Sequence, residues 1–224
     1  MRAKDVMVRD VVAVHPDTDV AKAVKMLVDN DISALPVIEH DHKLVGIISE
    51  ADLMRRIEIG TLPLRPRWLE SLVGASSLAE EFARAHGKRV GEIMTTNVTS
   101  VGEDASLAEI AGLFERKGIK RVPVVRDGRL IGIVSRSNLI QALAAAITEP
   151  ADADDADHRI REELLERLRE QQWTDFGSRN VIVRHGVVHL WGLIGSREEH
   201  RALLALAEGV PGVTRVSDET IPAY

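Results

Sequence analysis

The sequence predicts an α+β protein: two β-α-β-β-α repeats packed as a pseudo-two-fold pair, followed by a smaller α-β-β-α-β unit. Three observations carry this. Residues 3–57 match residues 90–143 at an offset of 87, which falls to 86 after a one-residue difference in a hairpin turn. Within each copy the apolar residues switch between a helical period and short strand runs. The last third matches neither copy and carries helix, hairpin and strand signals of its own.

The repeat is dense. Met7, Val11, Val14, Asp17, Ala21, Ile32, Pro36 and Val37 recur as Met94, Val98, Val101, Asp104, Ala108, Ile119, Pro123 and Val124. Beyond the turn, Leu44, Gly46, Ile47, Ser49 and Leu53 recur as Leu130, Gly132, Ile133, Ser135 and Leu139. Val20, Ala23, Val24 and Leu27 in one copy, and Leu107, Ile110, Ala111 and Phe114 in the other, fall on one face of a helix. Asp19 and Ser106 stand at the N-cap, and Ser106 with Glu109 forms a capping box. Asp31 and Gly118 occupy the helix exits, where left-handed backbone is common. Two strands follow in each copy, 35–38 with 44–48 and 122–125 with 130–134. Asp127-Gly128 is a two-residue hairpin signal, and the longer loop His40–Lys43 accounts for the extra residue. A helix then starts after Ser49 and after Ser135. One copy covers only one face of its small sheet, so the two are expected to pack on each other.

The predicted segments are 1–57 (first repeat), 58–89 (helical insert), 90–147 (second repeat), 148–157 (acidic linker) and 158–224 (C-terminal unit). In the insert, Pro63 and Pro66 mark a loop, and Trp68, Leu69, Leu72 and Val73 form an apolar face. Ser77 and Glu80 are expected to cap a helix carrying Leu78, Phe82 and Ala83, closed by Gly87. It is read as a linker folded onto the repeats, with a dimer or partner surface as the alternative. The linker holds five acids and no base, a solvated composition. In the C-terminal unit, Ile160, Leu164, Leu165 and Leu168 share a helical face. Strands 181–183 and 187–193 flank a turn at His185-Gly186, and Ser196 with Glu199 caps a helix ending at Gly209. Residues 213–221 supply a last strand.

Composition narrows the function. The chain has 224 residues, 45% apolar and 29% charged, with a net charge of -6, which gives no bulk attraction to nucleic acid or anionic lipid. No nucleic-acid partner is expected. There is no cysteine, so disulfide, thiolate and Cys-zinc chemistry are excluded. Charges interrupt the N-terminus every few residues, unlike a signal peptide. No run approaches the ~20 apolar residues of a membrane span; the longest, Leu139–Ile147, reads as a buried helix end. A cytoplasmic protein is expected.

Ligand chemistry concentrates where a strand runs into a helix, at Gly46–Asp52 and Gly132–Asn138. Such a junction presents free N–H groups, and a serine stands at each cap. The Asp52 carboxylate, three residues on, could accept two vicinal hydroxyls, as acidic residues do with ribose. A strand glycine lets a planar group approach. The plainer alternative is that Ser-x-x-Asp is only a helix cap. Lys120 and Arg121 favour a phosphorylated ligand, or are a solvated strand end.

The patterns V-x-x-V-x-P-D, I-x-x-L/V-P-V and L-x-G-I-h-S-x-x-D, in that order and in tandem, resemble the cystathionine-β-synthase (CBS) motif, paired as in a Bateman module over residues 1–147. That resemblance implies two clefts between the repeats, an adenosyl ligand (AMP, ADP, ATP or S-adenosylmethionine) acting as a regulator, and a homodimer. It assigns the ribose to Asp52 with Ser49 and Gly46 beside it. In the second motif Gly132 and Ser135 match but Asn138 replaces the acid, and Lys120 and Arg121 match a basic position that faces phosphates. The run G-V-V-H-L-W-G-L-I-G-S-R-E-E, with Ala207–Val216, resembles a BON domain, which implies a protein or phospholipid partner. Nine arginines against ten acids in 158–224 supply no drive to a membrane, and Trp191 reads as a sheet-face residue.

No catalytic cofactor, catalytic residue or metal is expected. His40-Asp41-His42 and His185 with His189 read as surface residues and not as ligands, and no nucleophile elbow, Walker A or dinucleotide fingerprint is present. The leading expectation is a non-catalytic sensor passing an adenosyl signal to the BON domain. The alternatives are a ligand-free scaffold and a cryptic nucleotide hydrolase.

Overall fold

The computed structural model describes residues 1–54, 56–61, 74–149, 154–174, 176 and 180–224. The apolar face at Trp68–Val73, its prolines, and linker residues 150–153 lie outside the described residues. The chain forms two compact units whose borders cut across the repeats. The larger comprises Met1–Val11, Ser100–Arg126 and Ile131–Tyr224; the smaller comprises Val12–Thr99 and Asp127–Leu130. Each repeat therefore gives its first few residues to the unit built on the other copy.

In the smaller unit, helix α2 (Val20–Asp29) packs on the antiparallel pair β1 (Ala34–Ile38) and β2 (Leu44–Ser49), which leads into the short α3 (Glu50–Leu53). The first strand expected of the repeat shrinks to one bridge, Val14 beside Val37. The core is Val14, Val20, Ala23, Leu27, Leu35, Val37 and Ile48, completed by Val90 and Ile93. Those last two come from α5 (Val90–Ile93). Val24, expected on the same face, is exposed. Asp31 has φ 50°, the left-handed exit expected of it. Asp19 holds the cap position without a side-chain bond. In the insert, α4 (Ala75–His86) has Gly74 at its N-cap, three residues earlier than the Ser77 cap expected. Phe82 is exposed and stacks on His86, ring centroids 3.9 Å apart, so it does not pack onto the repeats.

The larger unit begins with α1 (Ala3–Val6), then β3 (Val101–Gly102) parallel to β4 (Arg121–Arg126), which neighbours β5 (Arg129–Ser135). Helices α6 (Leu107–Lys117) and α7 (Arg136–Thr148) flank them. The predicted cap at Ser106 is present, accepting from the Glu109 N–H at 3.1 Å, and Gly118 has φ 64°. Asp127 and Gly128 both have positive φ, the geometry of a type I′ hairpin. Leu139–Ile147 is not the buried helix end expected. Asn138, Ala142 and Ala145 face inward, whereas Ile140, Leu143 and Ile147 form an exposed stripe.

The C-terminal part follows as α8 (Asp155–Arg169), β6 (Asn180–Arg184), β7 (Val187–Ile194), α9 (Arg197–Glu208) and β8 (Arg215–Pro222). β6 and β7 are antiparallel around His185-Gly186, and β8 runs parallel to β7. One sheet face, with Val181, Val183, Val188 and Leu190, joins Ile160, Leu164, Leu168, Phe176 and Leu203 in a core. The opposite face is buried too. Ile182 enters the apolar cluster of the second repeat with Ala3, Val6, Ala142 and Ala145, so β6 lies against α7 and α1. Asp157, read from sequence as linker, is 3% exposed and binds the β6–β7 turn. A carboxylate among free N–H groups at a helix start is held there by hydrogen bonds.

His189 lies on that covered face, 1% exposed, and among the described residues its Nε2 has no hydrogen-bond partner. Burial, opposed by Glu219 and Glu149, pushes its pKa below the usual histidine range. A depressed folded value means the unfolded chain binds the proton more readily. The stabilising effect is therefore complete above the ordinary pKa of about 6.5 and fades as pH falls below it. Thermal unfolding should shift to lower temperature between pH 7.5 and 5.5, and His189→Asn should flatten that slope. An unchanged slope in the variant would assign the effect elsewhere.

Candidate ligand site

The sequence-predicted residues divide between the two units. Gly46, Ser49 and Asp52 belong to the smaller; Lys120, Arg121, Gly132, Ser135 and Asn138 belong to the larger.

Both strand glycines are buried, and neither is an open seat for a planar group. A Cβ on Gly132 would lie 2.5 Å from Met7 Sδ, and one on Gly46 would collide with Met94 Sδ. The repeated methionines thus explain the repeated glycines: each arm lays a thioether across the strand of the unit it joins. The arms are fixed by paired backbone bonds, Val8 with Ile133 (3.0 and 2.9 Å) and Thr95 with Ile47 (2.9 and 3.0 Å). The leading N–H of each helix is not free either. Glu50 donates to the Ser33 carbonyl and Arg136 to that of Lys120, both at 3.0 Å.

What remains for a ligand is side-chain chemistry. Asp52 Oδ2 accepts from the Ser49 N–H at 2.9 Å and the Ser49 hydroxyl at 2.7 Å. Its Oδ1 accepts from Thr95 Oγ1 at 3.2 Å. Asp52, Ser49 and Thr95 are each half-buried. An ionised carboxylate offers about four acceptor positions, so one on Oδ1 stays open, beside a threonine oxygen that can also accept. That pair suits two adjacent hydroxyls. Thr95 was not singled out from sequence, yet there was a signal for it. Position 95 corresponds to Val8 in the other copy, a hydroxyl where the repeat is otherwise apolar.

The second motif is arranged differently. Asn138 Oδ1 accepts from the Ser135 N–H (2.7 Å) and hydroxyl (2.8 Å), and its Nδ2 donates to Gln141 Oε1 at 3.3 Å. Asn138 is 5% exposed. Lys120 is exposed and Arg121, the first residue of β4, is half-buried. His40 and His42 are exposed, and among the described residues no group of three or more His, Cys, Asp or Glu could hold a metal.

Sequence reasoning also missed Arg161 on α8. Its guanidinium is 2% exposed and donates to three carbonyls: Val181 (2.7 Å), Lys4 (3.0 Å) and Met7 (2.7 Å). Burial, with Arg9 adding to it, brings its pKa down to about 10. One side chain thus joins the C-terminal sheet to the arm that covers Gly132.

The CBS domain family matches residues 3–59 and 90–145. The chain belongs to the CBS-domain family. Its C-terminal part matches the BON domain over residues 156–221. The CBS pair is similar to the uncharacterized protein MJ1426 of Methanocaldococcus jannaschii, 35% identical over 154 residues, 64% of this chain and 91% of that one. It is similar also to the chloroplastic CBS domain-containing protein CBSX1 of Arabidopsis thaliana, 33% identical over 142 residues. Those residues span 59% of each of the two chains. Among solved structures, CBSX2 in complex with AMP superposes with a TM-score of 0.56 at 30% identity, covering 64% of this chain and 97% of that one. Among the described residues no helix is long and apolar enough to cross a membrane.

Proposed function

We propose that the protein is a non-catalytic, cytoplasmic sensor that binds an adenosyl nucleotide on its CBS pair and passes the signal to its BON domain. In this reading residues 1–57 and 90–147 are the sensor, 58–89 an insert, and 158–224 the output domain. The observation that carries it is the half-exposed Asp52 carboxylate, set by Ser49 and flanked by the Thr95 hydroxyl. AMP on the similar CBSX2 supports the ligand class, and Lys120 and Arg121 supply charge suited to phosphate. The relay is supported by Arg161, which fastens the Met7 and Lys4 carbonyls to the BON strand β6. A ligand shifts such a linkage only by preferring one arrangement over another. The exposed Ile140, Leu143 and Ile147 stripe supports a homodimer, which sedimentation velocity would detect as twice the chain mass.

One observation favours a scaffold instead: three of the Asp52 acceptor positions are already filled from within the chain. Calorimetric titration with AMP, ADP, ATP, S-adenosylmethionine and NAD separates the two. The sensor reading expects saturable heat for at least one adenosyl compound. Asp52→Ala should weaken it about 10- to 100-fold, the loss of charge-assisted hydrogen bonds worth ~1.5–3 kcal/mol. Silence from every ligand would favour the scaffold, with a protein or phospholipid partner for BON. Turnover of ATP would make the chain a hydrolase.

A further inference from the structure

We infer that the BON domain closes the second CBS motif, leaving one adenosyl site per chain, and that Asn180 and Gln141 form the closure. This rests on the sensor reading above and adds to it which motif is competent.

The case begins with what β6 does to α7. Asn180 Nδ2 donates to Gln141 Oε1 at 2.6 Å, the same oxygen that accepts from Asn138 Nδ2. Two residues along β6, Ile182 is fully buried in the apolar cluster of the second repeat. The strand thus lies over the turn that carries the motif, and Asn138 is left 5% exposed with both ends of its amide in use. Ligand hydroxyls would have to displace bonds already made, in a place solvent scarcely reaches.

The change of residue type follows from the same contact. A carboxylate at 138 would be buried and would face the Gln141 oxygen as Asn180 orients it, acceptor against acceptor. An amide turns that contact into a hydrogen bond. Asn138 is therefore the residue that a covered motif calls for, whereas half-exposed Asp52 keeps its charge. Asn180 Oδ1, which among the described residues has no partner, marks the strand end that a small rearrangement could free.

The test counts AMP and ATP bound to the full-length protein by calorimetry, with deuterium exchange over residues 136–141 as a second readout. One equivalent on wild type is expected, bound about 10- to 100-fold more weakly by Asp52→Ala. Asn180→Ala should speed exchange over 136–141 at least tenfold and raise the count towards two. Two equivalents on wild type, or one bound by Asp52→Ala at unchanged affinity, would overturn the closure and leave adenosyl binding itself standing. An Asn180→Ala protein that exchanges faster yet still binds one equivalent also overturns it. If wild type takes up none of AMP, ADP, ATP, S-adenosylmethionine and NAD, both readings fail together. Should Asn180→Ala not fold, the wild-type count and the Asp52→Ala affinity decide alone.

Discussion

Arg161→Leu is expected to cost about 3–5 kcal/mol of stability, read as a fall in the urea midpoint of the full-length protein at constant slope. Replacing a buried charge by a well-packed apolar residue is often harmless, because the desolvation cost disappears with the charge. That argument needs the partners to be removable as well. Here the partners are the main-chain carbonyls of Val181, Lys4 and Met7, which no substitution deletes. Each would be left buried without a donor, at ~1–3 kcal/mol apiece before relaxation. Lysine should recover only part of the loss. Its single ammonium cannot span three carbonyls as a planar fork does, and burial favours its neutral form. A loss below ~1 kcal/mol in Arg161→Leu would mean that water reaches those carbonyls, and the joint between BON and the CBS arm would be looser than its geometry implies.

The joint also marks where sequence reading stops. The caps at Ser106 and Ser196 and the two Xaa-Gly hairpins were legible because each is written within a few residues. Asp127-Gly128 and His185-Gly186 announce positive φ locally, and positive φ is what they adopt. The exchange of arms was not legible. Met7 and Met94 recur with Gly132 and Gly46, but nothing local says which methionine covers which glycine. The covered second face of the BON sheet left one trace, the unbroken Val181-Ile182-Val183. Such a run fits a strand buried on both sides better than one with a wet face. Arg161 and Asn180 left none, since a polar residue meant for a distant carbonyl or amide looks like any surface residue of an amphipathic helix or strand end. At the ligand site the motif pointed to Asp52 and Ser49. It could not reveal that the glycines were filled, or that Thr95 completes the carboxylate's surroundings.

Asp157→Ala is expected to cost about 2–4 kcal/mol, the sum of several small debts in one place. Oδ1 accepts from the Gly186 N–H at 2.8 Å, and Oδ2 from those of His185 at 2.9 Å and Asp154 at 3.2 Å. The His185-Gly186 turn turns its N–H groups away from the β6–β7 ladder, so they need an outside acceptor. Asp157 supplies it from the first turn of α8, where a negative charge is also favoured by the helix dipole. Alanine would leave donors unpaired on both the turn and the helix, the buried Gly186 N–H among them. Asparagine keeps the shape but offers one oxygen where two are used, and its NH₂ would confront an N–H; about half the loss is expected for it. The order wild type, Asp157→Asn, Asp157→Ala in urea midpoint checks the account. If asparagine matched wild type, the charge and the second oxygen would be dispensable, and the turn would be held by shape alone.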